Sequence, residues 1–346
     1  MSSIYLSKML VFLCVILLGL SCVTYIIYYL IQSNIVVKTD TVKEKLESKE
    51  KLSIDFKAGQ TIRVKMTKQN NEVIAMDIND YLRGVLASEM PAYYNLEALK
   101  AQAIVARTYT YRKMNEHAEG KEADICDNFN HCQAFYTKEQ LMNIWTRRGD
   151  DEKTRDEYWE NINKAVVQTQ NKVITYNGEF IKAFFHASSP IKTENVDQIW
   201  GKSYYPYLIS VDNVESNEYK NRTSEVIVTF KDMEKYIRDN IKKDFNLKYD
   251  NNINIYSNTS SGRVKEINVC GIKISAEKLR IAFGLKSTQF CMNIVDNTSI
   301  KFEVTGYGHG IGLSQVGSDY LANKGMKAED IIKYYYKGVE VLKLDI

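Results

Sequence analysis

Proline is nearly absent, with 3 in 346 residues, and glycine is held to 17. Collagen-like, polyproline-rich and low-complexity designs are thereby excluded. Cysteine is sparse too, and 6 in this length do not make a disulfide scaffold. Nor does one sign of charge dominate. With 46 basic and 43 acidic side chains the formal net charge is +3, and no long single-sign run occurs, so the chain lacks the basic footprint of a nucleic-acid binder. What is present is 45% apolar and 26% charged residues, which is not disorder and is enough for one large domain or two modest ones. The 24 tyrosines exceed ordinary core needs and suit wet, stacking surfaces.

One long apolar run stands out. Met9 to Ile31 holds no charged residue and is long enough to cross a bilayer as a helix. A secretory signal has a shorter apolar region followed by a small-residue cleavage site. This run lacks that site, and Tyr25, Tyr28 and Tyr29 cluster at its outer end as interfacial aromatics do. Gly19-Leu20-Ser21-Cys22 looks in part like a lipoprotein signal, but the apolar run continues past it, so Cys14 and Cys22 read as lipid-facing thiols. The expected organisation is a short cytoplasmic tail (1–8), a transmembrane anchor (9–31), a charged stalk (32–52) and a body (53–346). Only Lys8 and the amino terminus precede the span. A single-pass cell-membrane protein with its body on the extracytoplasmic side is expected mainly from the substrate argued below.

In the body, Ile54-Asp55-Phe56 and Thr61 to Met66 alternate like half-buried strands, with Ala58-Gly59-Gln60 as a turn. Helices are expected over Asp77 to Met90, Asn95 to about Lys113 and Glu157 to Gln170. Strands at Lys172 to Tyr176 and Phe180 to His186 are joined through Asn177-Gly178, a hairpin signature. Further strands are expected at Glu225 to Phe230, Arg263 to Asn268, Ile272 to Ile274 and Phe302 to Thr305. Helices are expected over Lys231 to Ile241, from a Ser275 cap through Phe283, and over Ser314 to Lys324 and Lys327 to Tyr336. The elements interleave without a regular βαβ period, which favours an α+β fold, a mixed body with its substrate groove between two lobes.

One carboxylate breaks the polar pattern. Ile78, Tyr81, Leu82, Val85 and Leu86 form a helical apolar stripe that Glu89 continues. Pro91 disfavours helix at Met90 and places Glu89 in the last turn, beside the negative end of the helix dipole. Burial and dipole both disfavour the charged form and raise the pKa, as a general acid requires. A carboxylate paired with Arg83, Lys100 or Arg107 would fit the same spacing. On the next helix Leu99, Gln102, Ala103, Ala106 and Tyr109 share a face, so Gln102 is a neutral donor and acceptor on a tight interface, either a satisfied core amide or, in the resemblance described next, a contact for a sugar hydroxyl or acetamido group.

The run YLRGVLASEMPAYYNLEALKAQAIVARTY resembles the signature of the stage II sporulation protein D family. His131-Cys132-Gln133, AFFHASSPIKTE (Ala183 to Glu194), Ile199-Trp200-Gly201, Leu285-Lys286-Ser287 and GYGHGIGLSQVGS (Gly306 to Ser318) recur in the family's order. The resemblance covers roughly Ile54 to the C-terminus. It departs at Ser189-Pro190-Ile191, where the family usually reads Ser-Gly-Gly and proline cannot adopt glycine's positive φ. The resemblance implies a lytic transglycosylase, which breaks the bond between N-acetylmuramic acid and N-acetylglucosamine without water. One acid protonates the leaving oxygen and then, as carboxylate, takes the proton of the muramoyl C6 hydroxyl as a 1,6-anhydro ring closes. An ordinary glycosidase needs a second carboxylate at roughly 5–9.5 Å; none occurs in a comparable apolar setting, since Asp77 and Asp80 suit capping, although folding could bring Glu194 near. Implied partners are peptidoglycan glycan strands stripped of stem peptides, an amidase and an integral membrane partner, during engulfment of the forespore.

The polar residues around Glu89 are weighed in that light. Arg107 suits a structural tether as well as a ligand. His186, Ser188 and Ser189 open a loop, where binding groups gather. They are taken as sugar contacts because the Gly-x-Ser-x-Gly elbow of serine hydrolases is missing. Trp200, Tyr204 and Tyr205 suit stacking on pyranose faces, with core packing as the alternative for Trp200. The glycines of Gly306 to Gly312 fall at every second residue, which matches neither nucleotide-binding fingerprint. In the resemblance that loop lines the glycan groove, with His309 and Gln315 as contacts. Cys126, His131 and Cys132, with His117 shortly before, suit a zinc site, a local disulfide or reduced structural thiols. Such a metal would pin a loop if Glu89 does the chemistry. The alternatives are a non-catalytic glycan-binding modifier that activates an N-acetylmuramoyl-L-alanine amidase, and a zinc amidase. Cys270 and Cys291 are left open between pairing and burial.

Overall fold

The computed structural model describes residues 61–345 except 68, 117–118, 121, 130, 202–204, 216–218, 220–221, 248–251 and 297. The expected tail, anchor and stalk, the strand at Ile54-Asp55-Phe56, His117 and Tyr204 lie outside the described residues. Among the described residues no helix is long and apolar enough to cross a membrane.

Strand β1 (Thr61–Met66) buries Ile62, Val64 and Met66 on one face. It returns through Asn70 and Asn71, both at positive φ, into β2 (Glu72–Asp77) in antiparallel register from Thr61 opposite Asp77 to Met66 opposite Glu72. Asp77 ends that strand and caps α1 (Ile78–Glu89), its carboxylate accepting the Asn79 and Asp80 amides at 2.8 and 3.3 Å. The helix stops at Met90, which is extended as a residue before proline should be. Its stripe of Ile78, Tyr81, Leu82, Val85 and Leu86 is buried, each large apolar side chain contributing about 1.5–3 kcal/mol.

Helix α2 (Leu96–Asn115) is capped by Asn95 and buried nearly all round. Its small residues Ala98, Ala101, Ala103 and Ala106 let neighbours come close. Packed on it are α1, α4 (Glu152–Gln168), α8 (Gln315–Asn323), α9 (Ala328–Tyr335) and β4 (Lys172–Tyr176). Helix α4 starts five residues before its expected start because Asp151 caps it. Helix α3 (Lys138–Arg148), not expected from periodicity, carries a Thr137/Gln140 capping box and ends on Gly149 at φ 97°. The expected hairpin joins β4 to β5 (Glu179–Phe180), with Asn177 and Gly178 at φ 50° and 83°. The expected strand from Phe180 to His186 is instead β5 and β6 (Phe185–His186), each two residues long.

A second core is built from two three-stranded antiparallel sheets. One has β7 (Thr223–Thr229) and β11 (Phe290–Val295) on either side of β12 (Ser299–Thr305). The other has β8 (Ile253–Asn258) and β10 (Ile272–Ser275) flanking β9 (Val264–Val269). Helices α6 (Phe230–Asn240) and α7 (Ala276–Phe283) close it, burying Met233, Ile237 and Leu279 with Ile267, Ile300 and Phe302. Ser275 occupies the cap position of α7 without a side-chain hydrogen bond. Mixed helices and several separate sheets make this the α+β body expected, and all of it falls within the unit Lys57–Ile346.

Candidate functional site

Glu89 sits where the stripe predicts, in the last turn of α1. None of the three cations that could have neutralised it does so: Arg83 pairs with Asp80, Lys100 pairs with Glu97, and Arg107 binds backbone carbonyls and Asn79. Its Oε1 accepts the Ala134 amide at 2.6 Å. Burial pushes the carboxyl up to about 7, against which the Ala134 hydrogen bond pulls down. The carboxyl therefore exchanges its proton near neutrality while one side stays open to a cavity of about 310 Å³. The lining runs from Ala87 to Tyr93, then Tyr136, Leu141, Ile144, Trp145 and Arg148. Among the described residues Glu89 is the only carboxylate in that lining. Gly84 makes the arrangement possible, because a Cβ there would lie 2.5 Å from both the Phe135 ring and the Tyr136 carbonyl oxygen. The cavity is lined by residues between 87 and 148 and lies within the helical part.

Two residues before Ala134 is the thiol cluster. Cys126, His131 and Cys132 come together as expected, with their ligand atoms within 4.8 Å of one another and of Glu119, a fourth member missed in the sequence. Both cysteines are free thiols, so the local disulfide is not formed. His131 Nδ1 lies 3.4 Å from Cys126 Sγ, 3.5 Å from Cys132 Sγ and 2.6 Å from Glu119 Oε1. Sulfur and nitrogen ligands of a tetrahedral zinc stand about 3.5 Å apart, so the donor set fits that ion. Without a cation, burial pushes both thiols up. Cys270 is half-buried and Cys291 exposed, and neither is in a disulfide.

The remaining predicted residues divide. Gln102 is buried with neither amide atom partnered. Arg107 is fully buried, its Nη1 donating to the Thr169 carbonyl at 2.6 Å and its Nη2 to Asn79 Oδ1 at 3.2 Å. It ties the end of α4 to the start of α1, the structural tether that the sequence offered as one of its two readings. Burial lowers its pKa to about 10.

His186, Ser188, Ser189 and His309 do gather, around two residues the sequence left unmarked, Glu215 and Arg263. Glu215 accepts Ser188 Oγ at 2.5 Å, the Ser189 amide at 2.6 Å, and Asn213 Nδ2 and Ser314 Oγ at 2.8 Å. Arg263 Nη2 donates to Ser189 Oγ at 2.6 Å, so that hydroxyl donates onward to His186 Nε2 at 2.6 Å. His186 Nδ1 in turn faces the Ile311 carbonyl at 3.2 Å, which fixes the tautomer. Burial, His309 and Arg263, in that order, hold His186 well below its usual range. The serine and histidine are thus within reach of each other, but both serines are fully buried and the third partner is a backbone carbonyl. In this arrangement they brace the loop, and no carboxylate completes a hydrolase triad with His186 among the described residues.

The glycine loop lies against this brace, with Gly306, Gly308, Gly310 and Gly312 all at positive φ. At Gly312 a Cβ would stand 2.0 Å from the Phe184 carbonyl oxygen, so only glycine lets β13 (Leu313–Ser314) pair with β6. Neither Pro190 nor Ile191 adopts positive φ, so the departure from Ser-Gly-Gly is accommodated by an ordinary turn. Ser314 caps α8, and Gln315 is buried with its Nε2 unpartnered. Trp200 is exposed rather than packed in the core.

The comparisons agree with these motifs. Residues 66–176 match the family model described as Stage II sporulation protein. Stage II sporulation protein D of Bacillus subtilis is 32% identical over 80% of this chain and 77% of its own length. The chain belongs to the stage II sporulation protein D family. Within it, the homologue from Bacillus amyloliquefaciens is also 32% identical, over the same shares of both chains. A protein of Bacillus subtilis named amidase enhancer is 25% identical over 74% of this chain and 39% of its own length. The family match spans Glu89, its cavity and the thiol cluster; the longer relatives extend the likeness over the histidine loop.

Proposed function

We propose that the chain is a peptidoglycan lytic transglycosylase that cleaves the bond between N-acetylmuramic acid and N-acetylglucosamine and leaves 1,6-anhydro-muramoyl ends, with Glu89 as general acid and then base. The observation that carries this reading is a carboxyl held near 7 by burial, with a backbone amide as its hydrogen-bond partner, open to a cavity that offers no second carboxylate among the described residues. A water-activating or nucleophilic partner is what a hydrolase would require. A lone acid suffices when the attacking oxygen is the sugar's own C6 hydroxyl. The proton leaves Glu89 for the glycosidic oxygen, and the carboxylate then receives the C6 proton, so the acid is restored in each cycle.

Cys126, His131, Cys132 and Glu119 would hold a zinc ion, whose chemistry here is structural: it fixes the loop that presents the Ala134 amide to Glu89. In the same reading the run at 9–31 anchors the body on the extracytoplasmic face, a cell-wall amidase supplies stem-free strands, and the setting is forespore engulfment with an integral membrane partner.

The test incubates the full chain with stem-free glycan strands and reads the products by mass spectrometry. Anhydro-muramoyl ends that disappear in Glu89→Gln are expected. Reducing ends, or cleavage that survives the substitution, would overturn the assignment. A second reading is favoured by the amidase-enhancer relative: a glycan binder that stimulates an amidase without cleaving. It predicts intact strands, retained binding and faster peptide release by an added amidase.

A further inference from the structure

Trp200 closes α5 (Val196–Trp200), yet 48% of its surface is left in water. Leaving half of the largest apolar side chain exposed forfeits burial that a core position would supply. Its ring is nevertheless fixed from behind. The Phe184 ring meets it at 4.8 Å and 60°, and the His309 ring at 5.5 Å and 51°. His309 is itself pinned, its Nδ1 accepting the Ile311 amide at 3.0 Å.

The helix that carries the indole is fastened just as firmly. Glu194, fully buried, accepts Thr259 Oγ1 at 2.6 Å, Ser261 Oγ at 2.5 Å and the Asn195 amide at 2.8 Å, while its own amide donates to the Gly310 carbonyl at 2.7 Å. Asn195 Nδ2 donates to Ser260 Oγ at 2.9 Å. Other exposed aromatic rings differ. Tyr256 is covered by Lys273 Nζ at 3.7 Å, Tyr307 lies under Lys286 Nζ at 5.5 Å, and Tyr93 leans on Tyr94 and Tyr158. Phe129 is exposed without a ring partner among the described residues. Of these rings, Trp200 and Tyr93 rest on other rings with no cation over them among the described residues, and Tyr93 already lines the cavity at Glu89.

We infer that Trp200, backed by Phe184 and His309, is a stacking platform for one pyranose ring of the glycan strand, a binding point separate from the cavity at Glu89. The inference rests on the glycan reading above. The axial C–H face of a sugar is apolar and weakly positive and meets the negative face of an indole. One open ring beside the polar Asp197 and Gln198 is far short of the roughly 800 Å² per partner that a protein interface buries, and it matches a single sugar. A preorganised ring loses little freedom on binding.

The experiment uses the full chain carrying Glu89→Gln, so that no turnover interferes, and stem-free glycan strands as the probe. Co-sedimentation should show at least tenfold weaker binding with Trp200→Ala added and less than threefold weakening with Trp200→Phe. In the chain with Glu89 intact, Trp200→Ala should raise KM with kcat unchanged. A readout independent of any variant at position 200 is oxidation of Trp200 by N-bromosuccinimide, mapped by peptide mass, which strands should slow. Unchanged binding in Trp200→Ala, or equal oxidation with and without strands, overturns the platform. If anhydro ends never form while strands still protect Trp200, the transglycosylase reading fails and the platform stands. Protection by an unrelated unfolded protein but not by glycan would reassign the ring to a protein partner and overturn the inference.

Discussion

Glu89 and Glu215 are both carboxylates drawn out of bulk water, and the chain surrounds them in opposite ways. Glu215 is ringed by four donors from Ser188, Ser189, Asn213 and Ser314, which leaves its lone pairs filled and its position fixed. Glu89 accepts one backbone amide, faces apolar and aromatic side chains, and opens onto a cavity. A saturated carboxylate holds segments together. An under-coordinated one at a cavity wall is suited to be the reagent proposed above, because its proton can leave and return near neutral pH.

Five outcomes test that contrast, the largest first. Glu89→Gln keeps the Ala134 hydrogen bond but removes the proton, and should lower the rate of anhydro-product formation by about 10²–10⁴-fold. In the parent chain the rate should fall about tenfold per pH unit above 7, as the acid form is lost. A pH–rate profile flat between 6 and 9 would contradict it.

Glu215→Ala strands four donors and should destabilise the fold by about 3–5 kcal/mol in denaturant unfolding. The corresponding Glu89→Ala should cost less than about 1 kcal/mol at pH 8. Comparable losses would erase the distinction between brace and reagent.

If zinc fills the cluster as proposed, removing it with a chelator, or substituting Cys132→Ser, should lower the rate about tenfold and depress Tm while the remaining product still carries anhydro ends. A change in product type would move the chemistry to the metal.

The smallest effect concerns stability. Glu89 titrates near 7 when folded and near 4.5 when unfolded, so between those values the folded chain holds more protons and stability falls as pH rises. Glu89→Gln removes that slope. The variant should match the parent near pH 4 and exceed it by about 1–3 kcal/mol at pH 8, measured by urea titration at both pH values.

Glu89 was legible because helical periodicity and the following proline fix its face and its place in the turn, and the Asn177-Gly178 hairpin because only residues tolerant of positive φ serve there. Helix α3 was not, since only Leu141 and Trp145 of its residues are buried and no stripe results, although its Thr137/Gln140 capping box stood in plain view. Its consequence was missed too: Trp145 and Arg148 line the cavity at Glu89. Arg107, Ser188 and Ser189 show a different limit. A polar residue that faces a ligand and one that ties two segments together look alike in sequence, and the partners that separate them, Thr169 and Glu215, come from distant segments. Glu119 was overlooked because acids in a charged loop are ordinary until folding brings one beside two thiols.

The bond between His186 and the Ile311 carbonyl joins residues 125 positions apart, and the β6–β13 pairing and the Ser188–Tyr307 bridge span similar distances. Helices α1 and α2, by contrast, are neighbours along the chain. Assembly therefore has an order. Helices α1 to α4, with Glu89 in place, can come together from contacts local in the chain, whereas α8, α9 and the histidine loop must wait for closure of a long intervening segment, which costs chain entropy. Until residues near Ser314 arrive, β6 has an unpaired edge and Ser188 and Ser189 lack their carboxylate's full ring, which makes that segment the slow step of folding and the first target of a protease acting on the nascent chain.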